Sequence, residues 1–154
     1  MYRNMVIYIQ ACESGSMFEN ILPNNINLYA TTAVNSKESS YTCYFDDTYL
    51  GDSYSVHWME DSDQEVLTTE TLQKQFKIVK KKTTESHVQE FGVMSIAQLH
   101  VSEFQGRKNS KPVFVPKVEK DSVLSHNVHI EIVKRKLMRS NSVEKQSVLT
   151  KKLN

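Results

Sequence analysis

The chain has 154 residues, enough for one domain with a sizeable core, and its 19 Lys and Arg nearly cancel its 18 Asp and Glu. That balance removes the electrostatic case for a nucleic-acid or membrane-surface partner. No apolar run approaches the roughly 20 residues of a spanning helix, and two cysteines are too few for a disulfide framework and lack the spacing of zinc ligands.

The first element is the apolar run Met5-Val6-Ile7-Tyr8-Ile9, which stops at Gln10-Ala11-Cys12-Glu13-Ser14-Gly15. That change of character predicts a buried strand opening into a loop. Residues 14–22 read as a loop with one helical turn, Pro23-Asn24-Asn25 as a turn, and 26–30 as a second strand. Residues 33–56 read as one long polar and aromatic loop, a kind of segment that tends to be functional. Within it Cys43 lies between aromatic residues and reads as a small packed side chain.

Farther along, Ser62-x-x-Glu65 matches a capping box, and Leu72, Phe76 and Val79 recur at helical spacing. Together they predict a helix over 66–83, with Lys80-Lys81-Lys82 at the end that favours cations. Residues 95–104 alternate weakly and read as a strand or a short helix. Ile130, Val133 and Leu137 share one face of a helix at 124–139, and the polar stretch 143–153 reads as the start of another. The pattern is α/β. It divides into a domain at 1–106, an exposed linker at 107–123 that is richest in Lys, Ser and Pro up to Pro116, and a helical segment at 124–154.

Cys12 is the residue with the clearest chemical promise. A thiol at the C-terminal end of a buried strand stands in the crevice where open α/β sheets place their sites. The following Ser- and Gly-containing loop offers N–H groups to an oxyanion. The alternative is a buried, inert thiol. Among the histidines, His57 reads as a rim residue, and the spacing of His87, His100, His126 and His129 suggests no dyad with Cys12.

The segment Ile9-Gln10-Ala11-Cys12-Glu13-Ser14-Gly15-Ser16-Met17 resembles the nucleophile motif of the legumains, the asparaginyl endopeptidases. Leu22 to Asn27, Tyr29 to Ala33, Glu38 to Tyr41, Tyr49 to Asp52, Trp58 to Asp63, Phe104 to Gly106 and Lys134 to Met138 are similar to later legumain segments in the same order. The resemblance implies a caspase-like α/β/α sandwich, incomplete because its N-terminal strands and helices are absent. It implies a cysteine endopeptidase that cleaves after Asn through a thioester on Cys12. In that family the histidine base precedes the cysteine in an Asp-His-Gly turn. Here eleven residues precede Cys12 and none is His, so this chain alone is expected to be inactive. The alternative is a non-catalytic remnant that acts as an interaction module.

By the same resemblance the substrate-binding positions are Gln10, Ser39, Ser40 and Asp52. Gln10 replaces the family's acid; it still offers a carbonyl acceptor but loses the charge-assisted bond. Asn141, in Met138-Arg139-Ser140-Asn141-Ser142, matches the linker where legumains cut themselves. No cofactor and no metal are implied. The implied partners are peptides or proteins with Asn at the cleavage site, and an intact homologue that would cover an exposed strand edge. The family works in lysosomes or vacuoles. This chain shows no signal peptide and, made as written, is expected in the cytoplasm.

Overall fold

A computed structural model describes residues 2–106, 112–116 and 121–153. It is an α/β protein with two small sheets. In the first, β1 (Met5–Ile9) pairs in parallel with β2 (Leu28–Thr32), which pairs antiparallel with β5 (Gln89–Gly92). In the second, β3 (Tyr41–Phe45) lies between β4 (Tyr49–Asp52) and β6 (Val123–Leu124), all antiparallel. The helices are α1 (Ser53–Gln64), α2 (Leu72–Lys82), the single turn α3 (Ser102–Gln105), α4 (Val128–Arg139) and α5 (Val143–Lys151). Short 3₁₀ turns occupy Ser14–Met17, Ile96–Gln98 and Ser125–Asn127.

The core forms around β2, every residue of which is buried. Tyr29 packs with Leu72, Ile96, Ala97 and Val101. Beside it Ala33, Val34, Tyr54, Phe76, Val79 and Val88 form a second cluster, so α1 and α2 both seat on this sheet. Tyr8 stacks on Trp58 at 4.8 Å, and its hydroxyl donates to Gln75 Oε1 at 2.6 Å. The chain between β1 and β2 also reaches the sheet: the Phe18 ring meets Phe91 at 5.8 Å. Gly92 (φ 89°) ends β5, where a Cβ would lie 2.1 Å from Leu28 O; only glycine fits that approach.

The structure shifts several boundaries read from sequence. The second strand is Leu28–Thr32, because it takes its register from β1 rather than from the Pro23 turn. The expected loop at 33–56 contains the β3–β4 hairpin and the start of α1. Its unbroken Tyr-Thr-Cys-Tyr-Phe run has strand character, and the turn closes with Asp46 N–H donating to Thr48 O. The capping box fails. Ser62 lies in the last turn of α1, where its hydroxyl donates back to Trp58 O at 2.8 Å. Thr71 is the true cap, so the expected helix begins at Leu72 instead of 66. Residues 95–104 hold a 3₁₀ turn and a short helix, not a strand, although His100 bridges to Thr71. The 124–139 helix starts as a 3₁₀ turn and becomes α-helical at Val128. Much of the expected linker lies outside the described residues.

Thr71 Oγ1 accepts from Lys74 N–H at 3.1 Å. Thr71→Ala is expected to destabilise the fold by about 1 kcal/mol, measured as a lower urea midpoint with an unchanged slope.

Candidate active site

β1 ends at Ile9, and the chain then reverses through Glu13, whose φ of 53° lies in the left-handed region. Glu13 N–H donates to Glu38 O at 2.7 Å, and Val34 N–H donates to Ser14 Oγ at 3.3 Å. These bonds press the loop after β1 against the stretch that leads into β3. As a result Cys12 is exposed beside Ser39 and Ser40. Its Sγ is 3.1 Å from Ser39 Oγ and 3.5 Å from Ser40 Oγ, and it also accepts from Ser40 N–H at 3.5 Å. The bonds from Ser39 and Ser40 hold the thiol below its ordinary pKa against a small opposing effect of burial and of Glu13. Cys43 is the opposite case: burial pushes its thiol up to about 11, as expected of a packed side chain.

Three of the residues singled out from sequence, Cys12, Ser39 and Ser40, therefore meet. Gln10 and Asp52 make no hydrogen bond to them among the described residues. Gln10 Oε1 is buried with no hydrogen-bond partner. Asp52 closes β4 opposite Thr42, and burial raises its carboxyl. Asn141 is far along the chain at the joint between α4 and α5, exposed in an open cleft with Lys136, Arg139 and Lys145.

His57 is not a rim residue. It is buried, with its Nδ1 2.8 Å from Thr83 Oγ1, and it ties α1 to the end of α2. His87 instead binds Glu38, through ring and backbone.

Sequence reasoning missed Ser125 and set His126 aside. Antiparallel pairing of Leu124 with Tyr41, extended by Ser125 N–H donating to Ser40 O at 2.9 Å, lays this turn over the serine pair. Ser125 Oγ is 2.9 Å from Ser40 Oγ, and His126 Nδ1 is 3.0 Å from Ser39 Oγ. His126 lies 87 positions from Ser39, so no local spacing could have signalled it.

Residues 1–107 match the Peptidase C13 family. The chain belongs to that family. Among curated C13 relatives it is 55% identical to human legumain over 99% of this chain and 36% of that protein. It is 42% identical to a hemoglobinase of Schistosoma mansoni over 96% of this chain and 36% of that protein. It is 44% identical to the vacuolar-processing enzyme delta-isozyme of Arabidopsis thaliana over 69% of this chain and 26% of that protein. The chain thus spans about a third of the length of the first of these C13 relatives.

The α/β architecture is consistent with a caspase-like fold. The legumain resemblance read from the Cys12 segment extends over nearly the whole chain, and the C13 family match covers residues 1–107 of it. No described helix is long and apolar enough to cross a membrane.

Proposed function

We propose that the protein serves the legumain reaction, with Cys12 as the nucleophile that forms a thioester at the carbonyl of an Asn residue. The observation that carries this reading is the exposed Cys12 thiol at the end of β1, held below its ordinary pKa by Ser39 and Ser40. A thiolate is the attacking form, so this environment favours it. Gln10, Ser39, Ser40 and Asp52 are the proposed substrate-binding set. The buried Gln10 carbonyl, an acceptor whose hydrogen bond is unmet, supports its part. Asn141, exposed between two helices, is the proposed processing site. The division at 1–106, 107–123 and 124–154 accompanies that proposal, as does a lysosomal or vacuolar location.

An electrophilic peptide ending in Asn is expected to label Cys12, with labelling lost in Cys12→Ala. A fluorogenic Ala-Ala-Asn peptide at mildly acidic pH is expected not to turn over with this chain alone, because no imidazole hydrogen-bonds Sγ among the described residues. No labelling would reject the nucleophile assignment. Turnover that vanishes in Cys12→Ala would reject only the expectation of inactivity.

A second reading, as an interaction module, has one observation of its own. β1 pairs only with β2 among the described residues, which leaves its other edge open. An intact homologue is the proposed partner, tested by concentration-dependent binding.

A further inference from the structure

The geometry points to Glu38 and His87 as a clasp that positions Ser39 and Ser40 against Cys12. The serine pair stands between two unlike supports. On its C-terminal side Tyr41 opens β3 and is fixed by sheet pairing. On its N-terminal side lies Glu38, which belongs to no strand or helix. The direction of the chain there is set by the bonds that Glu38 itself makes.

The Glu38 carboxylate accepts from the N–H groups of His87 and Asn35, at 3.1 and 3.5 Å, and pairs with the His87 ring. Its main-chain carbonyl accepts from Glu13 N–H at 2.7 Å, next to Cys12. One residue therefore joins the loop after β1, the stretch 35–40 and the approach to β5. Asn35 tightens the turn, its Oδ1 accepting from Lys37 N–H at 2.9 Å.

The anchor is fixed to the first sheet. His87 precedes Val88, which is fully buried, and Gln89 pairs with Thr32 of β2. Ser86 Oγ donates to Ala33 O at 2.8 Å and ties the same segment to the end of β2. The His87 side chain is 74% exposed, so its burial contributes little and its bond to Glu38 is what it adds. Bonds to an ionised carboxylate are the strong ones. Partial burial acts against ionisation of Glu38, but the bonds from His87 and Asn35 outweigh it and hold the carboxyl below its ordinary value.

Without the clasp the chain before Tyr41 can swing, and the 3.1 and 3.5 Å contacts from Ser39 and Ser40 to Sγ lengthen. The thiol then loses the bonds that lower its pKa, and the proposed substrate-binding serines lose their alignment. Neither the Glu38 carboxylate nor His87 hydrogen-bonds Cys12 among the described residues, so both are positioning residues.

Only the consequence for substrate rests on the proposed function, and two reagents separate it from the consequence for the thiol. On the full chain, iodoacetamide alkylation of Cys12 is followed against pH, and labelling by an electrophilic peptide ending in Asn is followed against concentration. Both are read by mass of the Cys12 peptide, with buried Cys43 as an internal marker of folding. Glu38→Ala and His87→Ala are each expected to raise the alkylation midpoint by about half a pH unit and the half-saturating peptide concentration about tenfold. His87→Asn keeps both wild-type values, because its side-chain amide nitrogen replaces Nδ1 as the donor to Glu38. Unchanged values in His87→Ala would overturn the clasp. So would equal shifts in His87→Asn and His87→Ala, since the bond to Glu38 would then not be what matters. Should Glu38→Ala expose Cys43, His87→Ala decides, because removal of an exposed ring leaves no cavity. A wild-type chain that the Asn peptide does not label, but whose alkylation midpoint rises in His87→Ala, would keep the clasp and reject the substrate reading.

Discussion

At pH 8 a Glu70→Gln variant will melt several degrees above the parent, and the difference will vanish below about pH 4.5. Three acids meet where α1 ends and the chain runs toward α2. Asp61, Glu65 and Glu70 each place a carboxylate oxygen within 4.8 Å of the others. Asp61 and Glu70 are each only 1% exposed, and neither oxygen of Glu70 nor Oδ2 of Asp61 has a hydrogen-bond partner. Lys74 supplies one cation, 2.6 Å from Glu65 and 3.7 Å from Glu70, and Lys82 acts on Asp61 as well. Two ammonium groups do not offset three carboxylates when two of them have lost their water.

Burial first, then the Asp61 and Glu65 charges, push Glu70 up to about 8. Burial likewise raises Asp61 to about 6. The sign of the linkage follows. Between the ordinary value near 4.5 and about 8 the folded chain holds a proton that the unfolded chain has released. The contribution of Glu70 to stability is therefore greatest in acid and falls as pH rises through that window.

The full shift of Glu70 corresponds to about 5 kcal/mol at most. The acids titrate as a coupled group, and Lys74 is half exposed to water, so roughly 2–3 kcal/mol is expected. Gln removes the charge and keeps the shape. Melts of parent and variant between pH 4 and 8 check this, and equal melting temperatures at pH 8 would refute it. The direction suits a protein of an acidic compartment, in keeping with the proposed lysosomal or vacuolar location.

What the sequence made legible was local. The β1 run and its abrupt end located Cys12, and helical spacing of Leu72, Phe76 and Val79 located α2, whose buried face they form. Ser39 and Ser40 beside Cys12 were readable only through the legumain resemblance, because the contact spans 27 and 28 positions. The hairpin went unread for a related reason. Strand character at Tyr41 to Phe45 shows its meaning only with its partners, and one of these, Val123–Leu124, comes from near the end of the chain. Asp121 adds to that long-range closure by accepting from the N–H groups of Tyr44 and Phe45 at 2.7 and 3.0 Å, with Tyr44 at a φ of 59°. Ser62 shows a different failure. Its hydroxyl had two local partners available, a following N–H or the preceding carbonyl, and spacing alone does not decide between them.

Gly15→Ala is expected to cost about 3 kcal/mol and to return the Cys12 thiol toward an ordinary pKa. Gly15 is buried in the 3₁₀ turn that follows Cys12. A Cβ there would lie 2.7 Å from the Asn35 carbonyl carbon and 2.8 Å from Ser36 N. Both are main-chain atoms, so no side chain can rotate away to relieve the contact. The methyl must drive the turn off the 35–36 stretch.

The two bonds that join these segments, from Glu13 N–H to Glu38 O and from Val34 N–H to Ser14 Oγ, lie on either side of the clash and open with it. Ser39 and Ser40 come directly after Glu38, so the same displacement separates their hydroxyls from Sγ. Stability and thiol reactivity must therefore fall together, which an ordinary packing defect elsewhere in the core would not produce. Denaturant midpoints and the pH dependence of Cys12 alkylation measure the two effects, with Ser16→Ala, at an exposed position in the same turn, as the control. A Gly15→Ala protein that loses stability yet keeps the wild-type alkylation midpoint would show that the turn does not hold Cys12 against the serine pair.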